Sequence, residues 1–177
     1  MLDVLSAVTQ FKEYENVSIL LCDSKIANVH AILPALEEVS QRHGRLLIIA
    51  DNVEGEALAT LILNKMRGLN VVAVKAPGFG DNRKNNLQDI ATLTGGQVVS
   101  EEMGLKLENF DPSWLGRWAN LRPGKKTDRH SFFSANKVSI SPDDTIILDG
   151  GGDSTKIKER CEQINDAISR TTSSWGT

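Results

Sequence analysis

Residues 46–80, LLIIADNVEGEALATLILNKMRGLNVVAVKAPGFG, read as strand, helix, strand and loop. Residues 46–50 and 71–75 are short apolar runs rich in β-branched side chains, the pattern of strands buried on both faces. Residues 54–67 between them are helical. Asp51 or Asn52 can cap the start, Glu54 and Glu56 sit in the first turn, and Arg67 followed by Gly68 marks the end. The stretch predicts a βαβ unit and an α/β fold.

That helix carries more apolar surface than one sheet contact needs. At 100° per residue, Leu58, Ala59, Ile62, Leu63 and Met66 fill one arc, and Ala57 with Leu61 forms a second. Either both arcs are buried in a layered core, or one is an exposed patch for apolar partners. Periodicity alone leaves both open.

Upstream, residues 17–22 (VSILLC) predict a strand, with Asp23 and Ser24 as turn and cap. Residues 26–39 predict a helix that Pro34 either kinks or restarts. His30 has no Cys, Asp or His partner near it and reads as a surface or structural histidine. Downstream, residues 76–84 form a glycine-rich loop before a helix at about 85–93, which Gly95 and Gly96 end. Gly78 and Gly80 give GxG, but Arg83 occupies the third glycine position of a dinucleotide fingerprint, and Lys84 lacks the spacing of a Walker loop. The loop therefore reads as a tight turn with Phe79 as a packing anchor, and nucleotide binding there is the alternative.

Residues 97–100 predict a short strand, 101–107 a turn, and Asp111-Pro112-Ser113 the cap of a short helix. Residues 118–134 have no period and read as a basic, aromatic-containing insertion loop. Residues 137–140 and 145–148 predict a hairpin, 149–153 (DGGGD) a flexible joint, and residues from Ser154 a helix through Ile157, Cys161, Ile164 and Ile168 with a frayed tail. Lys and Arg number 20 against 23 Asp and Glu, interspersed, which argues against a nucleic-acid or anionic-membrane surface. The N-terminus has neither a secretory nor a transit pattern. Cys22 and Cys161 fit neither a disulfide framework nor a zinc site. No catalytic triad, metal cluster or activated nucleophile emerges.

The runs IIADNVEGEALATLILNKMRG, VAVKAPGFGDNRK, LQDIATLTGGQVVSEEMGLKLE and SPDDTIILDGGGD resemble the apical domain of group I chaperonins of the GroEL type, with mitochondrial members from plants most similar. The resemblance implies a layered β-sandwich flanked by helices, and a role in binding non-native polypeptides. Two helices would present apolar side chains to substrate and to the lid-like co-chaperonin: Leu33 and Leu36 from the first, Leu58, Ile62 and Leu63 from the second. Ala57 and Leu61 would pack inward.

The implied organisation is a non-matching segment at 1–13, an apical domain at 14–153 interrupted by the insertion at 118–134, and a helix at 154–177 leading toward an intermediate domain. ATP and Mg belong to family domains whose motifs are missing here, so no cofactor and no ATPase activity are expected of this chain, which reads as a truncated, monomeric binder. Mitochondrial matrix or plastid is the implied location, with the cytoplasm left open. Two other readings remain: a nucleotide-binding α/β enzyme domain using residues 78–84, and an interaction module using the basic insertion.

Overall fold

A computed structural model of the chain describes residues 12–115, 135–140 and 145–173. In chain order the elements are β1 (Lys12–Cys22), β2 (Lys25–Ile26), α1 (Val29–Gln41), β3 (Arg45–Ala50), β4 (Asn52–Val53), α2 (Gly55–Met66), β5 (Asn70–Lys75), α3 (Gly80–Thr94), β6 (Val98–Val99), β7 (Ala135–Ile140), β8 (Thr145–Gly150) and α4 (Ser154–Ser173). Short 3-10 turns at Glu101–Met103, Leu107–Asn109 and Pro112–Leu115 lie between β6 and β7. The insertion at 118–134 and the hairpin turn at 141–144 fall outside the described residues.

β1, β3 and β5 are parallel, with Ile19 opposite Leu47 and Leu47 opposite Val72. The six-stranded sheet runs β5-β3-β1-β7-β8, with β6 paired to β1 off that path. β1 is longer than its apolar run: its first residues pair antiparallel with β7, Tyr14 opposite Val138, and its last pair parallel with β6, Leu21 opposite Val98. Burial on both faces explains the unbroken apolar runs. Leu46, Leu47, Ile48 and Ile49 are each no more than 2% exposed. Leu46 and Ile48 join a core with Ile32, Leu36, Ala57 and Leu61, so α1 and α2 cover one face. Leu47 and Ile49 join another with Leu87 and Ala91, so α3 covers the other. That reversal follows from the path: the chain steps outward from β1 to β5, then returns to β6, and right-handed crossovers in opposite directions land on opposite faces.

The α/β layered class is as expected. In detail the described strands form one mixed sheet and a two-stranded ribbon, β2 with β4. No second sheet packs face to face on it among the described residues; the β7–β8 hairpin extends the same sheet, and its Ile147 packs on the second core and lines a cleft of about 300 Å³ with Ile49, Val74, Lys75 and Ile90.

Several local expectations change. Ile26, taken as the first helical residue, is a buried ribbon residue, and α1 starts after Asn28, whose Oδ1 accepts the His30 amide at 2.9 Å. Pro34 lies inside α1 without ending it, removing only the amide that would reach the His30 carbonyl. α3 begins at Gly80, five residues before the expected start, and ends as expected at Gly95 in the left-handed region, φ 73°. The glycines at the end of β8 and just after it are no slack joint. The Gly152 amide donates to the Leu93 carbonyl at 2.9 Å. A Cβ on Gly150 or Gly152 would overlap the carbonyl oxygens of Leu93 and Thr92, so close backbone approach demands glycine there.

Candidate functional site: the paired helices

Because α1 and α2 each connect parallel strands on one face, they run in the same direction, side by side. Their N-terminal ends are joined by main chain. β2 and β4 pair with Ile26 opposite Val53, the Glu54 amide donates to the Ile26 carbonyl at 3.0 Å, and the Ala57 amide donates to the Ala27 carbonyl at 3.1 Å. Neither Asp51 nor Asn52 caps α2. The N-cap position falls on Glu54, which makes no side-chain capping bond and instead accepts from Asn52 Nδ2 at 2.8 Å.

Around α2 the apolar residues are graded rather than divided. Ala57 and Leu61 are fully buried, as expected of the smaller arc. Within the larger arc Leu58 is also buried, at 9% exposure, Ile62 is partly buried against the same core, and Leu63 (54%) and Met66 (79%) are open with Ala59. The availability expected of Leu58 is corrected by helix geometry: it lies about 60° round the helix from Leu61, whereas Leu63 lies about 160° away. α1 repeats the gradient, with Leu36 buried and Leu33 half-buried. Of the five expected contact residues, Leu36 and Leu58 are buried, Leu33 and Ile62 are partly buried, and Leu63 is exposed. Ala59 and Met66, absent from that set, extend the open surface. Their place in the larger arc was the sequence signal for it.

The glycine-rich loop lies elsewhere and is tied down. Arg83 bridges Asp51 at 2.6 Å and donates from Nε to the Gly78 carbonyl at 3.2 Å, and Asn86 Nδ2 donates to the Pro77 carbonyl at 3.1 Å. Phe79 is not the expected packing anchor: it is 85% exposed, with the Arg83 guanidinium 5.8 Å from its ring centroid. Lys84 bridges Glu102 at 2.6 Å, and that hydrogen bond raises the ammonium pKa. The crevice beside them, lined by Asp23, Gln88, Val98 and Ser100, has a volume of about 110 Å³. Pockets for drug-sized ligands run to roughly 300–1,000 Å³. Both cations are thus engaged by carboxylates and the space is small, which weighs against the nucleotide reading.

Among the described residues no three His, Cys, Asp or Glu side chains gather as a metal site, and no helix is long and apolar enough to cross a membrane. Cys22 is buried and Cys161 exposed, both as free thiols, and burial pushes the Cys22 pKa up. His30 is exposed. On the outer side of the helix pair Ala59, Leu63 and Met66 are exposed and Leu33 and Ile62 partly so, while the inner sides of both helices are buried.

No family model matches the chain. Curated proteins do, over nearly all of it. The chain is 48% identical over 173 residues to the mitochondrial chaperonin CPN60-1 of Zea mays, covering 97% of this chain and 27% of that protein. It is 47% identical to the mitochondrial chaperonin CPN60 of Arabidopsis thaliana (94% and 26%) and 50% identical to the hydrogenosomal chaperonin HSP60 of Trichomonas vaginalis (93% and 32%). The protein is therefore a homologue of chaperonins. More narrowly, it corresponds to one segment of the organellar chaperonin 60 proteins, spanning about a quarter to a third of the length of these relatives.

Proposed function

We propose that this chain is the apical, polypeptide-binding segment of a group I chaperonin, supporting protein folding in a mitochondrion or related organelle. Non-native polypeptides, and the loop of a co-chaperonin lid, dock along α1 and α2 on Leu33, Ile62 and Leu63, with Leu36 and Leu58 as the floor beneath. In this reading the segment by itself binds as a monomer and without hydrolysing ATP.

One observation carries the reading: Leu63 and Met66 stay exposed on a helix whose opposite side is fully buried. Solvent-facing apolar side chains on a well-anchored element mark a contact surface for other chains. Apolar contact is non-directional, so it recognises many unfolded sequences where a hydrogen-bonding pocket would select one. A groove between two helices accommodates a segment that brings its own apolar face.

The test is capture of a denatured protein by the purified chain in gel filtration. Ile62→Ser with Leu63→Ser is expected to abolish capture while circular dichroism stays native. Replacing Leu58 in that pair would disturb the core and blur the outcome. Undiminished capture by the double variant would overturn the assignment of the surface, and saturable ATP binding by the chain would favour the nucleotide alternative.

A further inference from the structure

The joint between α1 and α2 is made of main chain, and it sits where the proposed groove begins. α2 opens on Gly55 at φ 59°, in the left-handed region, and the first bond inside the helix runs from the Leu58 amide to the Glu54 carbonyl at 3.4 Å. The amides of Glu54 and Ala57, which have no partner within the helix, are satisfied by Ile26 and Ala27, the residues leading into α1. We infer that Gly55 and the Ala27 carbonyl are positioning groups: they fix the register of α2 against α1, so that the groove is preformed and the bound polypeptide adapts to it. This rests on the polypeptide-binding reading above.

The geometry supports a fixed register in three ways. A slide of α2 by one residue is a rise of 1.5 Å, enough to break a 3.1 Å hydrogen bond. Ala57 is fully buried, so its freed amide would have no ready access to water. The β2–β4 ribbon just upstream seats Ile26 and Val53, each 2% exposed, in the same core, so the chain on both sides of the joint is held as well.

Gly55 also allows backbone and packing to be separated. A Cβ there would lie 3.6 Å from the Ala27 oxygen, an ordinary contact, so a side chain fits and only the backbone angle opposes it. Asn tolerates the left-handed region and a β-branched residue does not.

The experiment measures the affinity of the chain for reduced, carboxymethylated α-lactalbumin together with amide exchange at Glu54 and Ala57. In the unmodified chain both amides are expected to exchange equally slowly with and without the probe. Gly55→Val, at a temperature where circular dichroism is native, is expected to bind roughly tenfold more weakly and to exchange faster at Ala57, while Gly55→Asn restores both. Should Gly55→Val fail to fold, the exchange comparison on the unmodified chain decides. Capture accompanied by new protection at Ala57, or tight binding by a folded Gly55→Val with a fast Ala57 amide, overturns this inference alone. No capture by the unmodified chain overturns the polypeptide-binding reading and this inference with it.

Discussion

α2 and α4 both show apolar side chains to solvent, yet they are held in different ways. α2 is sunk into the sheet by Ala57, Leu58 and Leu61 and tied to the chain before α1 by two main-chain hydrogen bonds. α4 is exposed along most of its length, with Ile164 and Ile168 at 38% and 56%. Near its N-terminal end it is tied by the Gly152 amide on the Leu93 carbonyl, and by Arg160 on Asp89 at 2.6 Å. Exposed apolar area alone therefore does not single out a working surface. On α2 the exposed residues sit on a helix anchored by burial and main-chain hydrogen bonds, the setting in which the proposed weak, non-directional contacts would add without ordering the binder as well.

The contrast can be broken most sharply through the two thiols, one in each setting. Cys161 on α4 is expected to react with a thiol reagent at once, and Cys22 under α1 only through unfolding, at a rate lower by at least about a thousandfold. Fast reaction at both would mean that the first core opens readily. Next in size, Leu61→Ala on the inner side of α2 is expected to lower unfolding free energy by about 3 kcal/mol in urea titration, through lost burial and a cavity. The smallest effect belongs to α4, where Ile168→Ser should change stability by less than about 0.5 kcal/mol. A larger loss would show that α4 is integrated into the cooperative unit.

How far the sequence could be read follows the same division. β3, β5 and α2 were legible because two-faced burial leaves unbroken apolar runs and Gly68, at φ 97°, closes the helix, although the cap expected at its start is not made. The β2–β4 ribbon was not, because Lys25–Ile26 and Asn52–Val53 are too short to show a period, and Ile26 fits the helical spacing of the residues after it. The start of α3 was missed because Gly78 and Gly80 read as a loop, although only Gly78 lies before the helix. Leu58 fell on the wrong side of the expected boundary because periodicity gives a direction round the helix, while the depth of its seating depends on neighbours far away in sequence. Phe79 shows the converse error. A large aromatic in a tight turn suggests an anchor, but here Arg83 and Asn86 fix the turn through its carbonyls and the ring is left outside.

Gly150, the last residue of β8, and Gly152, just before α4, give the molecule a stiff shoulder. With backbone lying directly on backbone at Gly150 and Gly152, the joint holds nothing compressible, and swivelling α4 must first pry two main chains apart. The end of α3 that these glycines lie against belongs to the helix that reaches the sheet through Leu87 and Ala91. The most slack-looking residues in the sequence are thus where main chain lies on main chain.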